Sequence, residues 1–124
     1  MANPNIVSVA SIYGKTVYDT DVATTAASLV SNAASSGKIF KINSLIIANI
    51  DGTNSADITV TLRNAAGSST YSTLASTIAV PNDATLVVIS KDTAIYLEED
   101  MSLYVLASAA GDLSATCSYE EISE

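Results

Sequence analysis

The feature that most constrains this chain is a run in which apolar and polar residues alternate strictly. In residues 56–63, with the sequence ADITVTLR, every second side chain is apolar and those between are polar or charged. Successive side chains of a β-strand point to opposite faces, whereas the apolar residues of a helix recur every three or four positions. Ala56–Arg63 is therefore predicted to be a strand with one buried face and one solvated face.

Two pairs of alternating segments are predicted to form hairpins. Lys38–Ile50 precedes Ala56–Arg63 across a turn that contains Asp51 and Gly52, and Met101–Ser108 precedes Leu113–Tyr119 across a turn at 109–112. Short polar and glycine-containing connections between strands are typical of hairpins, so each pair is expected to be antiparallel and hydrogen-bonded. One face of the first segment carries Phe40, Ile42, Ile46, Ala48 and Ile50, and the other carries Leu45 and Ile47 beside polar residues. The second half of this segment is therefore predicted to be covered on both sides.

Shorter segments complete an all-β pattern. They are Ser72–Val80, Thr85–Ser90 and Thr93–Leu97, with weaker periodicity in Ile6–Val9, Lys15–Asp19 and Ala26–Val30. About eight to ten short strands separated by turn residues predict an antiparallel β-sandwich, of the jelly-roll or immunoglobulin-like type. A helix over Asp21–Ala34 is the less favoured alternative, because its Thr, Ser and Val residues are poor helix formers.

The length predicts one domain. A chain of 124 residues is long enough for a single core and too short for two. We assign residues 13–124 to that domain. Residues 1–12 are predicted to be an N-terminal arm that orders against a neighbouring subunit, and Ile6 and Val7 are its candidate contact residues.

Missing residue types exclude most enzyme classes. The chain has no histidine and one cysteine, Cys117. It therefore cannot by itself build a Ser-His-Asp or Cys-His relay, an imidazole metal site, an intrachain disulfide or a thiolate zinc cage. We predict a protein that is not an enzyme and has no cofactor or metal. Cys117 lies in an alternating row with apolar residues, which indicates a small buried hydrophobe.

The charge distribution argues against nucleic acid as a partner. Five basic and 13 acidic residues give a net charge of −8, so little positive charge is available for a phosphate backbone. Residues 92–124 contain acidic side chains and no basic one. This acidic third is either a solvated surface or a docking surface for a basic partner.

No membrane association is predicted either. The apolar runs are far shorter than the roughly 20 residues needed to span a bilayer. Residues 1–5 lack the basic flank and apolar block of a secretory signal, so we expect synthesis in the cytoplasm of the producing cell.

Two groups of acidic residues are candidates for chemistry. Asp51, Asn54 and Asp57 offer oxygen ligands for calcium, but their spacing differs from that of an EF-hand loop and favours a hairpin turn. Glu98, Glu99 and Asp100 are favoured as a solvated turn, because successive strand residues face opposite ways. An enzyme based on carboxylates would require at least two of Asp19, Asp51, Glu98 and Asp100 to converge in a pocket.

Six tyrosines are candidates for recognition, because each combines an apolar ring with a polar end. Tyr104 lies in the outward row of its predicted strand and is the best candidate for a subunit contact or a sugar platform. Tyr13 follows the predicted arm. Together with Ile6, Val7, Glu98, Glu99 and Asp100, these two tyrosines are the predicted interaction residues.

Three stretches of the sequence resemble a known group of proteins. They are SSGKIFKINSLIIANIDGTNSADITVTL (Ser35–Leu62), IAVPNDATLVVISKDTAIYLEEDMSLYVLAS (Ile78–Ser108) and ATCSYEEIS (Ala115–Ser123). They are similar to stretches of small virion proteins of tailed bacteriophages, and the opening MANPN is similar to examples from marine and cyanobacterial phages. These motifs are structural and carry no catalytic residue.

The resemblance implies a compact β-sandwich on the virion. It points to a head decoration or cement protein on the capsid surface whose partner is the major capsid protein. A homo-oligomer, with a trimer favoured, is expected because closed symmetry would let the arm cross to the next subunit. The alternative is a tail, neck or fibre component that acts as a receptor-binding or glycan-binding module.

Overall fold

The fold is built almost entirely from β-strands. A computed structural model describes residues 3–124, and within that range it contains nine strands, one short 3-10 helix and no α-helix. The strands are β1 (Ser11–Asp19), β2 (Ala27–Asn32), β3 (Lys38–Asn49), β4 (Ala56–Arg63), β5 (Thr70–Val80), β6 (Thr85–Ile89), β7 (Ile95–Leu97), β8 (Met101–Ala107) and β9 (Leu113–Ser123), and the 3-10 helix Lys91–Thr93 separates β6 from β7. The predicted strand Ala56–Arg63 is confirmed with the same bounds.

The strands form two antiparallel sheets. One has the order β1-β9-β3-β6, with β7 also paired to β3, and the other has the order β2-β8-β4-β5. If β6 and β7 count as one interrupted strand, eight strands form two four-stranded sheets. The chain crosses from one sheet to the other at every connection except the β4–β5 hairpin, in the manner of a jelly roll. The predicted all-β antiparallel sandwich is thus confirmed. The sequence left open a jelly roll or an immunoglobulin-like sandwich, and the strand order is that of a jelly roll.

Both predicted hairpins are wrong. Strand β3 pairs with β6, β7 and β9, whereas β4 pairs with β5 and β8. Strands β8 and β9 likewise lie in different sheets. Alternation shows that each strand buries one face but does not show which strand lies beside it. A short polar connection serves equally well as a corner between two stacked sheets. The helix alternative over Asp21–Ala34 is also wrong, because residues 27–32 form β2.

A β-bulge in β3 changes which residues face the core. The register with β9 shifts between Ile42 and Ser44. Before the bulge Phe40 and Ile42 are buried in the core, and after it Leu45 and Ile47 are fully buried, while Ile50 is exposed. An extra residue in one strand reverses the inward and outward sets. The prediction that Ile46, Ala48 and Ile50 share a face with Phe40 and Ile42 is therefore wrong. In the second half of the strand Leu45 and Ile47 face the core, and Ile46 and Ala48 on the other face are partly buried.

The core lies between the two sheets. Strands β3 and β9 contribute residues from one sheet, and β4 and β8 contribute residues from the other. The fully buried side chains include Ile42, Leu45, Ile47, Ile58, Val60, Leu103, Val105 and Leu113. All eight are isoleucine, valine or leucine, and the β-branched side chains among them pack well on a pleated surface.

Two buried asparagines hold the corners between the sheets. Asn32, at the end of β2, donates from Nδ2 to the carbonyls of Lys38 and Leu97 at 2.9 and 3.1 Å. Asn49, at the end of β3, donates from Nδ2 to the carbonyls of Asn54 and Val80 at 3.0 and 2.9 Å. Asn32 thus satisfies the carbonyls of two strand ends, and Asn49 satisfies those of a connection and a strand end. These carbonyls would otherwise lack a donor.

The start of the chain makes contacts within its own subunit. Residues 3–10 contain turns and bends and no strand, so the predicted strand Ile6–Val9 is wrong. Asn3 donates from Nδ2 to Glu98 at 2.5 Å, and the Ala10 amide donates to the Ser123 carbonyl at 3.1 Å. Pro4 is buried. Residues 1 and 2 of the predicted arm lie outside the described part.

Candidate interaction surface

The acidic group Glu98, Glu99 and Asp100 holds three different segments of the chain. Glu98 accepts the hydrogen bond from Asn3, Glu99 Oε2 accepts one from the Gly37 amide at 3.3 Å, and Asp100 Oδ1 accepts one from the Ala65 amide at 3.1 Å. Asp100 has a φ of 61°, which turns the chain sharply before β8. The three carboxylates thus point to separate partners and do not converge.

The candidate calcium ligands form a turn. Asp51 accepts hydrogen bonds from the Thr53 amide at 2.8 Å and from Asn54 Nδ2 at 3.1 Å. This is the local pattern by which aspartate shapes a turn. Asp57 lies on β4, and its backbone amide donates a hydrogen bond to Ser108 Oγ at 2.8 Å. Within residues 3–124 no group of acidic or cysteine side chains has an arrangement suited to a metal ion.

Asp51 lies next to a second, buried carboxylate. The amide hydrogen bond from Thr53 lowers the pKa of Asp51. Burial, followed by the hydrogen bond with Asp51, raises the pKa of Asp112. Asp112 is therefore the one of the pair that takes up a proton first as the pH falls. The backbone carbonyl of Asp112 also accepts a hydrogen bond from the Ile50 amide at 2.7 Å, so the pair lies at the end of the β3–β9 ladder, where both strands meet their connections.

Cys117 is a core residue. Its side chain is fully buried in β9, and burial raises the pKa of its thiol to about 12. A thiol in this environment is neither ionised nor accessible at neutral pH, so it is a poor nucleophile. The expectation that Cys117 is a small buried hydrophobe is confirmed.

An ion cluster joins three neighbouring strands at one end of the sandwich. The carboxylate of Glu121 on β9 accepts one hydrogen bond at Oε2 from Lys15 Nζ of β1, at 2.6 Å. It accepts a second at Oε1 from Lys38 Nζ of β3, at 2.8 Å. The hydrogen bond from Lys15, and then that from Lys38, lower the pKa of Glu121. The same bond with Glu121 raises the pKa of Lys15. Glu121 is buried while both lysines are partly exposed, so the cluster has a structural role at a sheet margin.

Tyr104 lies under a loop. It is in the outward row of β8, as predicted, but is only partly exposed. The Arg63 guanidinium carbon lies 4.8 Å from the centre of its ring, a cation–π contact. The β4–β5 connection also lies close to this ring. A side-chain atom at Gly67 in that connection would collide with the Tyr104 ring and hydroxyl. Much of the ring is thus occupied within the chain.

The large apolar side chains that remain exposed lie at the chain start and along the sheet margins. Val7 is 91% exposed and Ile6 is 51% exposed. Strand β1 exposes Ile12, Tyr13 and Tyr18 by 55, 59 and 69%. The other exposed residues are Ile50, Tyr71, Leu74, Ile78, Val87 and Tyr96. Sequence reasoning selected Ile6, Val7 and Tyr13 as interaction residues and counted Tyr18 among the six candidate tyrosines. It missed Ile12, because it began this strand at Lys15.

The edges of the sheets differ in regularity. Strand β5, at one edge, shifts register against β4 at three places, and β2 shifts once against β8. On the edge formed by β6 and β7, the 3-10 helix interrupts the pairing with β3. Strand β1, in contrast, pairs with β9 from Ser11 to Asp19 without a shift. We use the term β1 edge for the side of Ser11–Asp19 that faces away from β9.

Other features of the described surface offer little for chemistry. A depression of about 70 Å³ is lined by residues that include Asp57, Thr59 and Thr77. Because this volume suits only a few water molecules, it is far below that of a pocket for a small organic ligand. No helix of the described part is long and apolar enough to cross a membrane.

Comparisons with known proteins give similarities of fold. No protein-family profile matches the chain, and no curated protein matches it. A solved structure described as Bacillus endospore appendages, a novel family of disulfide-linked pili, has a TM-score of 0.54 and 17% identity, covering 91% of this chain and 88% of that chain. The VP2 subviral particle of infectious bursal disease virus has a TM-score of 0.44 and 15% identity, covering 94% of this chain and 34% of that chain. The similarity to the pilus protein is one of fold.

Proposed function

We propose that this chain is a non-enzymatic structural protein of a bacteriophage virion, a decoration or cement protein that binds the major capsid protein on the outside of the head. The observation that most supports this proposal is that the side chains with the most chemical potential are engaged within the chain. Glu98, Glu99 and Asp100 accept hydrogen bonds from other segments, and Cys117 is buried in the core. What the described surface offers instead is exposed apolar and hydroxylated side chains, which suit contact between proteins.

The charge distribution indicates which part of the chain would contact the capsid. The excess of acidic residues lies in 92–124, and Glu98 and Glu124 at one end of the sandwich are exposed. Ile6 and Val7 are exposed in the segment that Asn3 connects to Glu98. An apolar contact beside the two acidic side chains Glu98 and Glu124 is complementary to a partly basic surface on the capsid lattice.

Binding to empty phage heads tests the proposal. Purified protein is mixed with heads that lack decoration, and the bound fraction is measured by co-sedimentation. We expect saturable binding at a fixed number of copies per capsomer, weakened by salt because surface charges are screened, and a rise in the temperature at which heads open. Binding no greater than that of an unrelated acidic β-sandwich would contradict the proposal.

A pair of variants locates the contact. Val7→Asp places a charge on a side chain that is already 91% exposed, so folding is expected to be unaffected while binding falls about tenfold or more. Thr24→Asp, at another exposed position, is the matched control and should bind as the parent does. Equal binding by all three proteins would place the contact elsewhere.

A receptor-binding or glycan-binding module of a tail, neck or fibre is the second candidate. The exposed Tyr18, Tyr71 and Tyr96 favour it, because aromatic rings at a surface bind sugar faces. It predicts saturable binding to host envelope material that is lost in Tyr18→Ser. Tyr104→Ser is a less direct test, since Arg63 already covers that ring.

Assembly of this chain would be non-covalent in either role. The pilus protein of similar fold is described as disulfide-linked. The one cysteine of this chain is fully buried in the core, so it cannot link subunits without unfolding.

A further inference from the structure

The β1 edge is the regular free edge of the described fold. Its nine residue pairs with β9 contain no bulge, and most of its residues are exposed. A long, flat free edge presents unpaired amides and carbonyls to any strand that approaches, and proteins usually blunt such edges with bulges or interruptions. Strand β5 and the β6–β7 edge are blunted in this way. The β1 edge is not.

Gly14 lies near the middle of this edge, and no contact or backbone angle within the chain requires a glycine there. Its φ is not positive, and a side-chain atom at Gly14 would meet nothing within 4 Å. Glycine in a strand interior weakens the strand and often marks a bulge or a close approach by another backbone. There is no bulge in β1, which leaves an approach from outside the chain.

We propose that the β1 edge pairs antiparallel with β1 of a second copy of this chain, about a twofold axis at Lys15. In this register Ile12 lies opposite Tyr18 of the second copy and Gly14 lies opposite Thr16. The two copies contribute identical surfaces, as a twofold contact requires. Their sheets join into one continuous sheet through the added ladder.

The register is self-complementary on both faces. On the outer face, Ile12 and Tyr18 are 55 and 69% exposed in one subunit and cover each other twice in the pair. On the inner face, Tyr13 lies opposite Val17, which packs on the core. Aromatic residues opposite β-branched or aliphatic ones are favourable cross-strand pairs.

The unfavourable pair in this register is Lys15 with its copy. Each Lys15 ammonium is bonded to Glu121 at 2.6 Å, so its charge is already offset within its own subunit. A shift of the register by two residues would separate the lysines but would also remove the Ile12–Tyr18 pair. Burial of these two exposed side chains therefore favours the register centred on Lys15.

This pairing is independent of the proposed role on a virion. It concerns purified protein alone and predicts a dimer, whereas the sequence favoured a trimer. A failure to bind phage heads would leave the dimer untouched.

Sedimentation velocity tests the pairing. At micromolar to submillimolar concentrations we expect a species of twice the 12.7 kDa chain mass. Tyr18→Asp should raise the dissociation constant about tenfold or more without changing the circular dichroism spectrum, because the side chain is exposed. Leu74→Asp is the matched control on the bulged edge, where Leu74 is 37% exposed, and should remain dimeric. A monomer or a trimer of the parent, or a dimer that only Leu74→Asp disrupts, would overturn the proposal.

Cross-linking tests the register. Ile12→Cys and Tyr18→Cys are prepared separately and oxidised alone or mixed. Within the proposed ladder two copies of the same engineered position lie about 20 Å apart, six residues at about 3.4 Å each, whereas positions 12 and 18 face each other at a distance that a disulfide can span. We expect disulfide-linked dimers only in the mixture. Equal linking in the separate samples, or none in the mixture, would refute this register.

Discussion

At the scale of single residues, the buried asparagines Asn32 and Asn49 stabilise the corners between the two sheets. Asn32 and Asn49 are 0 and 4% exposed, and each donates two hydrogen bonds to backbone carbonyls. A jelly roll has to carry its chain repeatedly from one sheet to the other. At each passage the backbone leaves the ladder that would satisfy its carbonyls. A buried amide side chain supplies the missing donors.

Asn49→Ala is expected to lower the free energy of unfolding by about 2–4 kcal/mol, because it leaves two buried carbonyls without a donor. Asn82→Ala is the matched control. Asn82 is exposed and donates a single bond to the Gly52 carbonyl, so its loss is expected to cost less than about 1 kcal/mol. Urea unfolding followed by circular dichroism measures both values. Equal losses would show that the corner does not depend on Asn49.

Two glycines should respond oppositely to substitution by alanine. Gly14→Ala fills open space in a strand and is expected to raise the free energy of unfolding by about 0.5–1 kcal/mol. Gly67 has a φ of 80°, and a side-chain atom there would collide with Tyr104. Gly67→Ala is therefore expected to destabilise the chain and to disturb the contact between Arg63 and Tyr104. Thermal melts at a concentration where the protein is monomeric check both signs, and a stabilising Gly67→Ala would contradict this account.

At the scale of elements, the ion cluster connects β1, β9 and β3 and so makes the sheet margin depend on pH. The pKa of Glu121 is lowered in the folded chain by Lys15 and Lys38. A lowered pKa adds stability above the ordinary glutamate value of about 4.3, and that stability is lost as the pH falls through the folded-state pKa. The raised pKa of Lys15 adds stability at neutral pH that is lost at strongly alkaline pH.

Glu121→Gln is thus expected to destabilise the chain at pH 7 and to differ little from the parent at pH 3. Asp92→Asn is the matched control, because Asp92 is exposed and takes no part in the ion cluster. The loss of stability at pH 7 is expected in Glu121→Gln and not in this variant. The measurement is urea unfolding at several pH values between 3 and 8. A difference that stays constant across this range would rule out the ion cluster as its source.

At the scale of the whole molecule, the sandwich encloses its one thiol completely. Cys117 is fully buried, and its pKa is about 12. A thiol reagent at pH 8 is expected to react only after the chain opens, so the labelled fraction should rise with urea together with the loss of the circular dichroism signal. Ser108→Cys, at an exposed position, is the positive control and should be labelled at once. Rapid labelling of the folded parent would mean that the sheets separate locally around β9.

The sequence by itself determined most of the strand segments, although not Ile6–Val9, and that the strands stack as a sandwich. Ala56–Arg63 was predicted with its observed bounds, because strict alternation leaves one consistent arrangement of buried and solvated faces. The absence of histidine and the single Cys117 bounded the possible chemistry in the same way. Both conclusions depend on the type and spacing of neighbouring residues.

Only the tertiary structure decided which strands are neighbours and what the acidic residues do. Pairing depends on contacts between residues far apart in the chain, so the connection 50–55 reads as a hairpin turn although it is a corner between sheets. The bulge after Ile42 is likewise invisible in a period of two. Glu98, Glu99 and Asp100 find partners as distant as Asn3, Gly37 and Ala65. The regularity of the β1 edge exists only relative to β9, because an edge is defined by the sheet and not by the strand.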